Sequence, residues 1–326
     1  MSPTPSRPLR VRSMTRLTPR VMSLVFESLD RSPLPPAAPG DHMDLRLGPG
    51  LSRSYSIVGQ NGAPDRYEVA VALEAQSRGG SRQVHERLRV GDVIEVTGPR
   101  NLFALHPGAT HSLLIAGGIG ITPLWSMAQA LEQRQSPWTL CFAARSRQEA
   151  AYLEDIEALV QGSSVGRLLT HFDDEAGRPL DLHALLAQTP RESHLYCCGP
   201  APMLAAYEQA SADWPAEQVH LERFAPLAPQ GAASDEALPQ FEVVLARSGH
   251  TLQVAAHQSI LDVLLDHGIN APYGCMQGVC GMCEVPVLDG IPDHRDQILS
   301  EEVKQQQASV IVCCSRSRTP RLTLDL

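Results

Sequence analysis

The chain has 326 residues, of which 43% are hydrophobic and 19% are charged, and its formal net charge at pH 7 is −9. This length and composition are typical of a globular protein of about two or three domains, and the negative charge argues against nucleic-acid binding, which requires a basic face. Residues 1–12 show no secretory signal and the chain has no long apolar run. We therefore expect a cytoplasmic protein with reduced thiols and no membrane segment.

The first 105 residues contain short apolar runs that are punctuated by glycine and proline. A single helix-like stretch, Ser81–Leu88, interrupts them. This pattern predicts an antiparallel β-barrel, or a sandwich, with one short helix. The predicted strands are Leu9–Val11, Val21–Glu27, His42–Leu47, Ser54–Val58, Tyr67–Ala72 and Asp92–Thr97.

From Ser112 onward, apolar strands alternate with short helices. This alternation predicts a parallel sheet that is covered by helices on both faces. The predicted strands are Ser112–Ala116, Trp138–Ala143, Gly166–His171 and His194–Cys198, and the predicted helices are Pro123–Gln133, Ala150–Val160, Leu180–Gln188 and Pro202–Ser211.

The first of these strands runs directly into a glycine-rich turn. Glycines at the carboxyl end of a strand let a diphosphate approach the backbone, and the following helix supplies N–H donors. Thr122 at the N-cap and Pro123 at the first helical position would mark the helix start. Such turns also join strands to helices for purely steric reasons, so this one alone leaves nucleotide binding undecided. The candidate contacts are Gly117, Gly118, Gly120, Thr122 and Pro123.

A second strand ends in a similar turn, Cys198-Gly199-Pro200, before a helix. Two such turns at the carboxyl ends of strands in one sheet are where a dinucleotide is expected to lie. Cys198 is open to two interpretations. It is either a small buried apolar residue or a group placed against the nicotinamide ring.

Residues 226–239 are small, flanked by proline and without apolar periodicity, which predicts a linker. The sequence therefore divides into segments 1–106, 107–226, a linker 227–239, and 240–326. The last 87 residues hold ten acidic and six basic side chains, so a partner surface for them is expected to be basic.

Four cysteines of the last segment, Cys275, Cys280, Cys283 and Cys313, have the spacing C-x4-C-x2-C followed by 29 residues and a cysteine. This is the spacing of plant-type [2Fe–2S] ferredoxins. Glycines of the loop would let the backbone wrap around the cluster and direct N–H groups at its sulfurs.

Other uses of these cysteines fit less well. A zinc site would favour two C-x2-C pairs or added histidines, and a disulfide framework is not expected among reduced thiols. Cys314 adjoins Cys313 and could be the fourth ligand in its place. The spacing favours Cys313, with Cys314 as a packing neighbour.

In this order, the motifs resemble the ferredoxin-NADP reductase superfamily. With the ferredoxin at the C-terminus, the whole chain is similar to the phthalate dioxygenase reductase family, which includes vanillate demethylase-type reductases. The resemblance implies an FMN-binding barrel at 1–106, an NAD(P)-binding domain at 107–226 and a β-grasp ferredoxin at 240–326.

The resemblance also implies flavin contacts. The family's R-x-Y-S motif is present as Arg53-Ser54-Tyr55-Ser56. Arg53 would bind the flavin phosphate, Tyr55 would contact the isoalloxazine, and Ser56 would lie near N5, the atom that takes the hydride. The alternative for this tetrapeptide is an ordinary alternating strand.

The second flavin segment is Arg78-Gly79-Gly80-Ser81, at the start of the predicted short helix. A glycine pair and a hydroxyl at a helix start can hold a phosphate. In the family this form goes with FMN, so FMN is predicted and FAD is the alternative.

The choice between NADH and NADPH depends on the segment after the second strand of the sheet. An acid there would bind the ribose of NADH, whereas arginine and serine would hold the 2′-phosphate of NADPH. Arg145-Ser146-Arg147 could accept a phosphate, and no acid occurs until Glu149. The family mostly uses NADH, so NADH is predicted, with Arg145 as a contact and NADPH as the alternative.

The function implied is that of an oxygenase reductase, in which electrons pass from NADH to FMN, to [2Fe–2S] and to a Rieske-type terminal oxygenase. A flavin is needed because a hydride carries two electrons and the cluster takes one. Ser56 and Cys198 are the candidate catalytic residues, and a monomer is expected. The alternatives are a self-contained NAD(P)H oxidase or diaphorase, which would not need the cluster, and a non-catalytic iron–sulfur redox sensor, which would not need both the flavin and dinucleotide sites.

Overall fold

The structure is a computed structural model, and it describes residues 6–48, 51–60, 62–75, 77, 79–224, 239–256, 258–269, 271–273, 278, 281–296 and 298–326. Within these ranges the chain forms two compact units, one from Thr4–Leu47 and Tyr55–Phe224, the other from Gly48–Ser54 and Ala225–Leu326. No helix in the described part of the chain is long and apolar enough to cross a membrane.

The N-terminal part is a closed antiparallel barrel with the strand order β1-β2-β5-β4-β3-β6, which confirms the predicted barrel. The predicted helix is present as α1 (Gly80–Arg82), which continues as one π-helical turn, Gln83–Arg87. All eight residues of β2 are buried, so both faces of this strand are covered. The strands are β1 (Ser6–Arg16), β2 (Val21–Ser28), β3 (Asp41–Gly48), β4 (Leu51–Gly59), β5 (Arg66–Ala72) and β6 (Val93–Asn101).

The central part is the predicted parallel sheet, with the strand order β11-β10-β7-β8-β9. Alternate residues of β7 enter two different apolar cores, Leu114 and Ala116 on one side and Leu113 and Ile115 on the other, because helices cover both faces. The strands are β7 (Ser112–Gly117), β8 (Trp138–Ala144), β9 (Gly166–Phe172), β10 (His194–Cys198) and β11 (Val219–Glu222). The helices are α2 (Ile121–Gln133), α3 (Leu153–Gln161), α4 (Asp173–Ala176), α5 (Leu182–Ala187) and α6 (Ala201–Ala210).

The C-terminal part has a mixed sheet with the order β13-β12-β18-β14-β16 and a two-stranded sheet of β15 and β17. The buried side of α7 belongs to the same apolar core as the sheet, as expected for a β-grasp fold. The strands are β12 (Phe241–Leu245), β13 (Thr251–Val254), β14 (Glu284–Asp289), β15 (Pro292–Asp293), β16 (Ser309–Ile311), β17 (Arg316–Ser317) and β18 (Arg321–Leu324), and the helices are α7 (Ile260–Asp266) and α8 (Glu301–Gln306).

A stack of three imidazoles lies at the amino end of the parallel sheet. The ring centroids of His106 and His194 are 4.1 Å apart, and those of His194 and His220 are 5.4 Å apart. His194 Nδ1 lies 3.1 Å from His220 Nε2, and Tyr196 stacks on His220. Burial, followed by the neighbouring histidines, lowers the pKa of His220 to about 4, and burial also lowers the pKa of His194, which the charge of Glu217 opposes.

This stack makes the compact unit that contains the parallel sheet sensitive to acid. A histidine whose pKa is lower in the folded state destabilises the fold as it takes up a proton, so the free energy of unfolding should fall between about pH 6.5 and pH 4. Over this pH range, the free energy of unfolding of His220→Gln should fall by about 1–2 kcal/mol less than that of the original protein, after allowance for the partial exposure of His220. Urea unfolding followed by tryptophan fluorescence measures this unit, because all three tryptophans, Trp125, Trp138 and Trp214, belong to it. An equal decrease in both proteins would contradict the expectation.

Candidate functional site

The two glycine turns of the parallel sheet lie side by side. Strands β7 and β10 are neighbours, and Ala116 pairs with Cys198 at their carboxyl ends. A Cβ added to Gly120 would lie 2.1 Å from the carbonyl oxygen of Cys198, and one added to Gly117 would lie 2.5 Å from the Met203 sulfur. Only glycine permits this approach. The structure therefore brings together the two turns that the sequence singled out.

Helix α2 begins earlier than the sequence predicted. A short 3-10 turn, Gly118–Gly120, leads into the helix at Ile121, so the N-cap is Gly120 and not Thr122. Thr122 lies within the first turn, where its Oγ1 donates to the carbonyl of Ile119 at 3.0 Å, and Pro123 is the third helical residue. Among the described residues, no side chain caps this helix end. Its N–H groups are suited to a diphosphate.

Cys198 is fully buried. Burial, followed by the charge of Glu222, raises the pKa of its thiol well above the ordinary value. The thiol is therefore protonated and uncharged at neutral pH, which excludes a thiolate nucleophile. Both earlier interpretations, a packing residue and a neutral contact for the nicotinamide ring, are compatible with this environment.

Sequence reasoning missed Glu222, which pairs in register with Cys198 on the edge strand β11. The residue as a whole is partly exposed, but its Oε2 atom is buried and has no partner among the described residues. Burial raises its pKa to about 8, so the carboxyl group largely keeps its proton at pH 7. The next residue, Arg223, is held by Glu208 at 2.6 Å. The only sequence signal was a short alternating run, Val219–Glu222, after the last helix of the sheet.

The first flavin segment lies on strand β4. Ser56 is 4% exposed, and its hydroxyl has no partner among the described residues. Arg53 donates to the carbonyl of Ser52 at 2.7 Å, and Arg53, Ser54 and Tyr55 are half-buried. A buried hydroxyl without a partner is rare in folded proteins, and a bound polar group satisfies it. This environment fits a flavin.

The second flavin segment is described only in part, because Arg78 lies outside the described residues. Gly79 has a φ of +95°, which requires glycine, and its N–H donates to Ser77 Oγ at 3.2 Å. The Ser81 hydroxyl donates to Ser77 Oγ at 2.9 Å and accepts from the N–H of Glu74 at 3.2 Å. Ser81 thus stabilises this turn through hydrogen bonds to Ser77 and Glu74. Gly80 is buried at the start of the helix.

The segment predicted to contact the ribose, Arg145-Ser146-Arg147, has surroundings that its sequence did not indicate. Arg147 forms an ion pair with Glu157 at 2.9 Å and lies over the Phe172 ring, with 5.0 Å to the ring centroid. The backbone carbonyl of Arg145 accepts from Asp174 at 3.0 Å. Helix α4, which follows β9, carries three carboxylates, Asp173, Asp174 and Glu175. Acidic groups therefore reach this end of the sheet from the helix that follows the neighbouring strand β9. The sequence analysis considered only the segment after β8.

Two of the four cluster cysteines, Cys275 and Cys280, lie outside the described residues, and those that are described form no complete metal site by themselves. Cys283 and Cys313 are buried, and the N–H of Gly278 donates to Cys313 Sγ at 3.2 Å. The adjacent Cys283 thiol, followed by that of Cys314, raises the pKa of Cys313.

Converging thiols of this kind become thiolates only with a positive partner such as iron. A Cβ on Gly278 would lie 2.5 Å from Cys314 Sγ, so Cys314 packs against the loop. This arrangement fits a [2Fe–2S] cluster, and the choice of Cys313 rather than Cys314 as the fourth ligand stays a prediction.

Two family models match parts of the chain. The model of the 2Fe-2S iron-sulfur cluster binding domain matches residues 243–318, and that of the oxidoreductase NAD-binding domain matches residues 114–209. The first match lies within the C-terminal sheet region, residues 241–324, and the second lies within the parallel-sheet region, residues 112–222.

Relatives match along nearly the whole length. The chain is 45% identical over 318 residues to the phenoxybenzoate dioxygenase subunit beta of Ectopseudomonas oleovorans, covering 98% of this chain and 97% of that one. It is 44% identical over 320 residues to the tetrachlorobenzoquinone reductase of Sphingobium chlorophenolicum, with 98% and 97% covered. A solved structure of phthalate dioxygenase reductase, described as modular for electron transfer from pyridine nucleotides to [2Fe–2S], matches with a TM-score of 0.83 and 30% identity over 98% of each chain.

Proposed function

Because the chain belongs to the phthalate dioxygenase reductase family, we propose that it is the reductase component of a two-component Rieske-type oxygenase, a ring-hydroxylating dioxygenase or an O-demethylase. It takes electrons from NADH and passes them through a bound FMN and a [2Fe–2S] cluster to the oxygenase. One observation carries the proposal: a chain matched along 98% of its length joins a barrel, a nucleotide-binding sheet and a cluster-binding module. We expect it to act in the cytoplasm as a monomer.

The chain's own residues position the partners of the reaction. A bound flavin accepts the two electrons of a hydride and releases them singly, as the cluster requires. We assign the hydroxyl of Ser56, which has no partner among the described residues, to a hydrogen bond with the flavin. We assign the paired turns, Gly117–Gly120 and Cys198–Pro200, to the diphosphate and the nicotinamide of NADH.

Glu222 would provide an uncharged floor beneath the nicotinamide, with the fully buried thiol of Cys198 behind it, since both groups keep their protons at neutral pH. Hydride loss turns the nicotinamide into a cation. An uncharged floor does not hold that cation by charge, so the oxidised dinucleotide can leave. A permanently ionised carboxylate in the same place would retain it.

We propose NADH rather than NADPH. The ion pair with Glu157 occupies Arg147, and the three carboxylates of α4 would repel a 2′-phosphate. Steady-state kinetics with both dinucleotides should give a kcat/KM at least about tenfold higher for NADH, a difference of about 1.4 kcal/mol. A preference for NADPH would reverse this assignment without affecting the electron path.

We propose FMN rather than FAD because the family's R-G-G-S form, present here at residues 78–81, accompanies FMN. Chromatography of the flavin released by heat identifies it directly. Recovery of FAD would refute the assignment.

The function is tested with the purified holoprotein and a co-purified oxygenase. Under anaerobic conditions, NADH should bleach the flavin absorbance and then reduce the cluster. After oxygenase, dioxygen and an aromatic candidate are added, dioxygen consumption and a hydroxylated or demethylated product should appear. Reduction of both groups without any stimulated dioxygen consumption across candidate oxygenases would contradict the proposal.

A second candidate function is quinone reduction, which the 44% identity to tetrachlorobenzoquinone reductase favours. A quinone can take electrons without a protein partner. Holoprotein that reduces substituted benzoquinones with a higher kcat/KM than any oxygenase-coupled reaction would favour this alternative over the oxygenase reductase.

A further inference from the structure

We propose that Ile298, Glu301 and Glu302 form the surface on which the protein electron acceptor docks, and that this acceptor presents an apolar contact surrounded by basic side chains. We call these three residues the Ile298 surface. The inference rests on the proposed function, because it assumes that electrons leave through the cluster. It adds where they leave and what kind of protein face receives them.

Ile298 is 48% exposed, although isoleucine is usually buried. Its side chain lies against Gly281, since a Cβ on Gly281 would lie 3.5 Å from Ile298 Cγ1. Gly281 stands between the cysteines at 280 and 283. An apolar group is thus exposed beside Gly281, a neighbour in sequence of two candidate cluster cysteines, and a partner that receives electrons must approach the cluster.

Acidic side chains follow this apolar group immediately. Glu301 and Glu302 occupy the first turn of α8, and the Glu301 side chain is 82% exposed. The acids of β12 and β15 pair with arginines, whereas the one ion pair of Glu301 among the described residues is with Lys304, at 3.4 Å. The segment 240–326 has a net charge of −4, from ten acids and six bases.

The surface is held in a fixed shape. Asp296 is buried, and its Oδ1 accepts the N–H groups of Ile298 at 3.2 Å and Leu299 at 2.8 Å. Lys304 donates to the Asp296 carbonyl at 3.3 Å and so connects α8 to the same turn. A surface that is already ordered loses little entropy on binding.

Charge and shape together define the partner. An apolar centre with a charged rim is the usual anatomy of a transient protein interface, and the rim charge controls the encounter rate and its salt dependence. Because the rim is acidic, the complementary face is basic. A small anionic acceptor needs no such face and should be indifferent to this surface.

The test uses holoprotein, NADH and cytochrome c, a basic one-electron acceptor protein, with ferricyanide as the small anionic comparison. Ile298→Asp and Glu301→Lys should each lower kcat/KM for cytochrome c by about tenfold at low salt, and added salt should reduce the loss in Glu301→Lys. Ferricyanide reduction should stay within about twofold of the original protein.

Matched controls come from the far end of β14. Leu288 is 58% exposed and lies about 16 Å along the strand from Cys283, and Asp289 follows it. Leu288→Asp and Asp289→Lys make the same chemical changes away from the cluster loop and should leave both activities unchanged. The visible absorbance of the cluster shows whether each variant still contains it. Because the Glu301 side chain is largely exposed, Glu301→Lys tests the surface even if Ile298→Asp fails to fold.

The possible results distinguish failure of the proposed docking surface from failure of the proposed electron path. The docking surface would be overturned if Ile298→Asp and Glu301→Lys reduced their clusters and kept the original kcat/KM for cytochrome c. It would also be overturned if the β14 controls lost as much kcat/KM as these two variants. If NADH reduced the flavin and the cluster of the original protein stayed oxidised, the proposed electron path would fail instead.

Discussion

In Cys283→Ser, reduction of a protein acceptor is expected to fall to background while NADH-driven ferricyanide reduction is retained. Cys283 is 1% exposed and adjoins Cys313, and a [2Fe–2S] cluster needs four thiolates. The residues assigned to hydride transfer, Ser56 and Cys198, belong to the other compact unit, so a flavin there keeps its electron donor. Cluster absorbance and both activities are measured on the same sample.

The neighbouring cysteines provide the controls. Cys313→Ser should behave like Cys283→Ser, whereas Cys314→Ser should keep the cluster and its activity. Loss of the cluster in Cys314→Ser alone would make Cys314 the fourth ligand. Loss of both activities from a folded Cys283→Ser protein would show that electrons do not enter at the flavin.

Gly120→Ala is expected to lower kcat/KM for NADH by about 100-fold or more. The added Cβ would lie 2.1 Å from the carbonyl oxygen of Cys198, which belongs to the backbone and cannot rotate away. Relief of that contact must separate the two turns by more than an ångström, and overpacking of this kind costs about 3 kcal/mol. The rate of flavin bleaching by NADH in a stopped-flow instrument measures the effect.

Gly162→Ala is the matched control in the same unit, because its Cβ would meet only Leu159 O, at 3.9 Å. Its bleaching rate should equal that of the original protein. Flavin that has been reduced with dithionite, with the excess removed before cytochrome c is added, should still pass electrons to cytochrome c in Gly120→Ala, which places the defect at the dinucleotide. An unchanged bleaching rate in Gly120→Ala would mean that NADH does not use these turns.

Elements with long or strongly patterned sequences were predictable. The apolar runs of β7 and β8 and their following helices identified the parallel sheet, and the predicted barrel strands lie within the observed ones, apart from Asp92. The cysteine spacing likewise indicated a cluster, since three of the four candidate ligands share one short loop. In these cases local pattern and final structure agree.

The remaining parts depend on contacts between distant segments. Strand β11 has four residues of alternating polarity, and only its pairing with β10 makes it a strand. Because strand β11 was not predicted, Glu222 was not recognised as a neighbour of Cys198. Helix α2 begins before Thr122 because Gly120 must approach Cys198, and this tertiary contact overrides local capping preferences. The acids of α4 reach the ribose segment only through the order of the sheet strands.

The apolar cores of the two units draw on different stretches of chain. The buried members of the C-terminal core run from Phe241 to Leu324, whereas the two cores around the parallel sheet use residues between Val21 and Trp214. Heating should therefore melt the protein in separate steps, with no single melting temperature for the whole chain. A chain whose C-terminal unit has melted first could still pass electrons from NADH to a small acceptor such as ferricyanide, but it could no longer deliver them to a protein acceptor. The cluster-binding unit would therefore set the temperature at which electron delivery stops, whereas the other unit would set the temperature at which NADH oxidation stops.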